Sequence, residues 1–150
     1  MKENKYDSDS FFEKYSRFPR SVMGLSAAGE WETLKSMLPD FHGKAVLDLG
    51  CGFGWHCRFA AEHGAASVMG VDLSEKMLAR AREMSAGYDQ ILYLHAAMED
   101  VALEQGAYDI AVSSLALHYI ADFQAVAKKV YDGLKPGGAF IFSVEHPVFT

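Results

Sequence analysis

The sequence predicts an α/β fold, a doubly wound sheet of parallel strands with helices on both faces, and three observations carry that expectation. From Lys44 onward, strand-like and helix-like segments alternate at the spacing of βαβ units. The strand-like segments are short unbroken apolar runs, the pattern of a sheet covered on both faces. The first of them, "AVLDL", runs directly into a turn carrying Gly50, Gly52 and Gly54. A bare turn at the carboxyl end of a parallel strand is where such sheets take their ligands.

Each element follows in order. Residues 45–49 read as a buried strand, and 55–63 as a helix that Gly64 stops. Residues 66–71 read as the second strand. Asp72 closes it, and Ser74 is placed to cap a helix over about 75–85. Along that helix Met77, Leu78, Ala81 and Met84 recur at helical spacing. Residues 91–95 and 108–113 are the third and fourth strands. Phe123, Val126, Ala127, Val130 and Leu134 mark one helix face that ends at "KPGG". Residues 139–144 are the fifth strand. Ahead of the regular region, "YDSDSFFEKYSRFPR" is polar and aromatic. "EWETLKSMLPDFHGK" reads as a short helix ended by Pro39 and Gly43. The chain therefore divides into a lead-in or lid segment, 1–43, and a core, 44–150, forming one domain.

Composition narrows the partners. The chain has 150 residues, half of them apolar and 23% charged, with a formal net charge of −6. An acidic balance argues against a nucleic acid or an anionic membrane as the main partner. The pair Lys128-Lys129 reads as a solvated helix face. No apolar run is long enough to span a bilayer, and residues 1–10 lack the apolar stretch of a signal peptide, so a cytoplasmic location is the expectation. Cys51 and Cys57 make no metal-ligand pattern. A disulfide between them is not expected, since one sits in the glycine turn and the other inside the following helix.

The glycine turn reads G-x-G-x-G. The dinucleotide fingerprint G-x-G-x-x-G wants its third glycine where Trp55 stands, which weakens a nicotinamide oxidoreductase reading. The amides at the start of the next helix suit a carboxylate as well as a phosphate. Asp72, at the end of the second strand, is placed to accept from both hydroxyls of a ribose and would repel a 2′-phosphate.

Four segments in register, "VLDLGCGFG", "GVDLS", "YDIAVSSLALHYI" and "LKPGGAFIFSV", resemble the S-adenosylmethionine-dependent methyltransferases of the Rossmann-like class, specifically the methyltransferase type 11 group. The stretch "FFEKYSRFPRSVMGLSAAGEW" also looks like the lead-in of some members. The resemblance implies S-adenosylmethionine as cofactor, a small-molecule acceptor and no metal. It implies that Asp48 and the backbone of Gly50, Gly52 and Gly54 hold the methionine part and the ribose edge. Asp72 would bind the ribose hydroxyls and Leu73 would pack on the adenine. Met98 and Glu99 would line the adenine edge, and Ser114 and Leu115 the methionine end. Ala97 stands where many members carry an aspartate, so Glu99 or Asp100 would have to read the adenine amino group.

Plainer readings stand beside these. Asp48 also suits a brace for loop amides, and Met98 suits core filling. Glu99 and Asp100 also suit a solvated turn. Cys51 fits packing near the ligand better than a nucleophile, because no activating base adjoins it in sequence. His118 and His146 are the candidate bases if the acceptor must lose a proton, with Glu145 nearby. Tyr15, Arg17 and Arg20 are candidates for a lid over the acceptor.

The family usually continues past the fifth strand with a helix and an antiparallel hairpin, and the expectation is a sheet without that hairpin. The apolar edge of strand 139–144 is therefore expected to invite a second chain, as a homodimer, as poor solubility, or as a piece of a longer protein. A truncated module that binds cofactor or a partner without catalysis is the alternative function.

Overall fold

The computed structural model of the chain describes residues 35–114 and 123–143. Its elements are β1 (Ala45–Leu49), α1 (Trp55–Glu62), β2 (Ser67–Asp72), α2 (Glu75–Met84), β3 (Ile91–His95), β4 (Tyr108–Ser114), α3 (Phe123–Gly133) and β5 (Leu134–Ser143). The strands form one sheet in the order β3-β2-β1-β4-β5, and every pairing is parallel. The strand order reverses between β1 and β4. In such sheets ligands sit beyond the carboxyl ends at this switch point, where Leu49 and Ser114 finish β1 and β4 and Asp72 finishes the neighbouring β2.

Alternation along β1 builds a core on each face. Val46 points to a cluster with Phe41, Cys57, Ala60 and Leu78, under α1 and α2. Leu47 and Leu49 point to the other, with Ala111, Val126 and Val130 beneath α3. Helix α2 starts as its sequence predicts: the Ser74 hydroxyl accepts from the Met77 amide at 3.2 Å, satisfying one otherwise orphaned donor.

Three expectations need correction. The first is small: β2 runs from Ser67 to Asp72, one residue later than read, and α1 ends at Glu62. The second concerns β5, which begins at Leu134, a residue assigned above to the helix face. Leu134 pairs with Tyr108, the register then shifts, and Ala139 pairs with Ile110. Residues 135–138 bulge out between those pairings, with Gly137 at φ 82°. A Cβ on Gly138 would lie 2.9 Å from the Lys135 carbonyl oxygen and 3.0 Å from that of Asp109. The glycines thus permit a bulge inside a strand, where "KPGG" reads locally as a stop. The third concerns β3, one face of which no described helix covers. Leu92 and Leu94 are 63% and 42% exposed, because residues 96–107 contain turns but no helix.

Asp109 ties the bulge to the sheet. Its Oδ2 accepts from the Ala45 amide at 2.9 Å and from Lys135 Nζ at 3.4 Å. The Ala45 amide first, and the Lys135 ammonium after it, hold the Asp109 carboxyl below the usual carboxylate range. A depressed folded-state pKa contributes stability that is present above the unfolded pKa and is lost as pH falls through the folded one. The thermal midpoint of the native chain should therefore fall more steeply than that of Asp109→Asn below about pH 4. Parallel acid limbs in a melting series would contradict this. Among the described residues, no helix is long and apolar enough to cross a membrane.

Candidate binding site at the strand ends

The turn after β1 is sewn onto the end of β2. The amides of Gly50 and Cys51 both donate to the Val71 carbonyl, at 2.7 and 3.0 Å. Gly50, Gly52 and Gly54 sit at φ 73°, 54° and 80°, in the left-handed region that glycine enters without steric cost. The Asp72 carboxylate joins the two turns: Oδ2 accepts from the Gly52 amide at 2.8 Å and Oδ1 from the Ser74 amide at 2.9 Å. A carboxylate has room for about four donors, so holding two amides is compatible with also accepting from ligand hydroxyls. Asp72 is half-buried.

The glycines are bare for different reasons. A Cβ on Gly52 would meet only Met77 Cε, at 3.9 Å, so the backbone there stands open to close approach. A Cβ on Gly54 would run into the Tyr93 hydroxyl and lie 3.0 Å from Arg58 Nη1. Gly70, on β2, makes room for the Tyr93 ring, with Cδ1 at 2.7 Å from a built Cβ. Of these three, only Gly52 would take a Cβ without a clash, against Met77 Cε at 3.9 Å.

Behind the turn lies a polar cluster that reading the sequence missed. Arg58 is buried on α1, and its Nη1 donates to the Phe53 carbonyl at 2.7 Å and to Ser85 Oγ at 3.2 Å. Ser85 Oγ and the Tyr93 hydroxyl are 2.7 Å apart, and the guanidinium lies 4.6 Å from the Trp55 ring centroid. Burial pushes the Tyr93 phenol well above its ordinary range, so it remains a neutral hydrogen-bonding group. Arg58→Met would strip the Phe53 carbonyl of its donor. It should lower unfolding free energy by about 1–3 kcal/mol, read from urea denaturation. A change within experimental error would show that the turn holds its shape without the guanidinium. The one sequence signal was a cation between Cys57 and Ala60, on an otherwise apolar helix face.

Asp48 and Cys51 are buried. Asp48 is 1% exposed, accepts from Cys57 Sγ at 3.4 Å, and faces an apolar crevice with Phe41, His56 and Phe59. Both cysteines are free thiols. Burial, and then the contact with Cys57, push the Cys51 thiol well up. A thiol held protonated is a packing group and not a nucleophile.

The exit from β3 forms the far wall. Asp100 and Val101 amides both donate to the Ala97 carbonyl, at 3.0 and 2.9 Å, closing a turn through Met98 and Glu99. Lys129, expected on a solvated helix face, is half-buried. Its Nζ donates to the Met98 carbonyl at 3.1 Å and the Glu99 carbonyl at 2.7 Å. Only its neighbour Lys128 behaves as read, reaching Asp132 at 3.1 Å on the exposed side. The Leu73 carbonyl lies 2.7 Å from His95 Nε2. Ser113 Oγ donates to the Leu49 carbonyl at 2.9 Å, fixing the end of β4 to β1 just before Ser114.

The structure thus brings the glycine turn, Asp72 and Leu73 together, with Met98 and Glu99 on the next turn. Leu115, His118, Glu145 and His146 lie outside the described residues, as do Tyr15, Arg17 and Arg20. Among the described residues, no group of three or more His, Cys, Asp or Glu could hold a metal ion.

Comparison with known proteins gives this geometry a family context. Residues 47–142 match the family model described as a methyltransferase domain. An S-adenosylmethionine-dependent methyltransferase from Mesorhizobium loti, a solved structure, superposes with a TM-score of 0.79 at 51% identity. That alignment covers 82% of this chain and 56% of the other. A protein of Listeria monocytogenes assigned to the same class gives 0.78 at 61% identity, covering 83% and 58%. The malonyl-[acyl-carrier protein] O-methyltransferase of Serratia marcescens is 36% identical over 85% of this chain and 51% of its own length. The chain therefore spans a little over half the length of these relatives.

Proposed function

This chain belongs to the methyltransferase domain family, and from that premise we propose that it binds S-adenosylmethionine at the strand ends and transfers its methyl group to a small-molecule acceptor. One observation carries the reading: a carboxylate at the end of β2, bonded to the Gly52 and Ser74 amides, stands on a glycine turn whose three glycines all take the left-handed conformation.

The residues present fit that cofactor. Asp72 would accept from the ribose hydroxyls, Gly52 would let the nucleoside lie against the main chain, and Leu73 would pack on the adenine. Met98 and Glu99 would border the base. Gly50, Gly54 and Cys51 would contribute turn backbone, and Ser114 with Leu115 would flank the methionine end. Asp48, buried, acts from beneath the turn. When bound, the cofactor supplies an activated sulfonium methyl. The task left to the chain is alignment and exclusion of water, and positioning of this kind supplies up to about 7–11 kcal/mol in favourable systems. His118 and His146 are the proposed proton acceptors for an acceptor that must be deprotonated.

A small-molecule acceptor is supported by the likeness to a ubiquinone biosynthesis O-methyltransferase of Neisseria meningitidis, 31% identical over 95% of this chain, and by the acidic chain. The test is transfer of labelled methyl from S-adenosylmethionine to a panel of carboxylic acids, phenols and amines. Turnover on one acceptor class supports the reading. Cofactor binding without turnover on any of them would leave the chain a binding module.

A further inference from the structure

The Lys129 ammonium is bonded to two successive carbonyls, Met98 and Glu99, on the turn that borders the proposed base site. Each carbonyl belongs to a trans peptide, since the described chain has no cis bond, and in a trans peptide the N–H points opposite to the C=O. With the Met98 oxygen held toward Lys129 on α3, the amide of Glu99 is directed away from α3. Among the described residues no acceptor takes that amide, while the next one, Asp100, is bonded to Ala97. A cation on the carbonyl also polarises the peptide and strengthens its N–H as a donor. Ala97 offers no side chain to read the base, so any reading of the amino group is left to Glu99 or Asp100, and a backbone donor on the same turn is free to read a ring nitrogen.

We propose that Lys129 is a positioning residue for base specificity: by holding the Met98 carbonyl from behind, it aims the Glu99 amide at a ring-nitrogen acceptor of adenine. This inference rests on the cofactor reading above. Adenine presents N1 as an acceptor, whereas hypoxanthine carries a proton there. A fixed N–H donor therefore favours adenine and leaves two donors facing each other with hypoxanthine.

The experiment compares binding of S-adenosylhomocysteine and S-inosylhomocysteine by calorimetry, with the thermal midpoint recorded for every chain. The native chain should prefer the adenine ligand by about tenfold or more, the worth of one such hydrogen bond. Lys129→Met should bring the ratio near one. Lys129→Gln, which keeps a neutral donor for one carbonyl, should fall between and serves if the methionine variant does not fold. General loosening of the fold would weaken both ligands together and leave the ratio in place. A ratio unchanged in folded variants, or no preference in the native chain, overturns the role of Lys129 while the cofactor reading stands. No binding of S-adenosylhomocysteine by the native chain overturns both.

Discussion

Asp72→Ala is expected to weaken S-adenosylhomocysteine binding by at least about a hundredfold. Two charge-assisted hydrogen bonds to ribose hydroxyls are worth about 1.5–3 kcal/mol each, and each 1.4 kcal/mol is a factor of ten. The same change strips partners from the Gly52 and Ser74 amides, so the fold should lose about 1–3 kcal/mol as well. Calorimetry well below the unfolding midpoint, with urea denaturation alongside, separates the two effects. Affinity that survives the substitution would remove Asp72 from the site and leave it as a brace between turns.

The second large effect belongs to Gly54→Ala. At φ 80° an alanine is strained by about 1–2 kcal/mol, and its Cβ would run into the Tyr93 hydroxyl. Relieving that overlap means moving a half-buried side chain bonded to Ser85, for about 1–3 kcal/mol more. A total near 3 kcal/mol is a large part of a small domain's stability, and denaturant midpoints should show it. The cause is checked by a double-mutant cycle with Tyr93→Phe, which deletes the obstructing oxygen. The Gly54→Ala penalty should shrink by about 1 kcal/mol or more in that background. An equal penalty in both backgrounds would clear the Tyr93 hydroxyl and assign the effect to the backbone angle and the Arg58 contact.

What could be read in the sequence was local. β1 and β3 are found at their predicted bounds, because unbroken apolar runs between polar or glycine-bearing turns mark a covered strand. The glycine turn and Asp72 stood out for the same reason, since the turn begins at the residue after β1 and Asp72 closes β2. The start of β5 was hidden, because the bulge at 135–138 depends on Asp109, far back in the chain, gripping Ala45 and Lys135. Exposure of Leu92 and Leu94 was hidden too, because an edge strand reads like a central one until its neighbours are known. Arg58, Tyr93 and Lys129 act through partners on other elements. Composition and spacing record charge on a helix but not what that charge reaches. Lys128 and Lys129, adjacent and identical, differ only in that respect.

The central claim is that the turn after β1 and the end of β2 form one nucleoside-binding surface. Titration of S-adenosylhomocysteine into ¹⁵N-labelled chain, followed amide by amide, tests it most directly. Saturable shifts should gather at Gly50, Gly52, Asp72, Leu73 and Glu99, with Leu92 and Leu94 on the outer strand unmoved. Saturable shifts confined to the outer strand, or no saturable shift at the glycine turn, would contradict it.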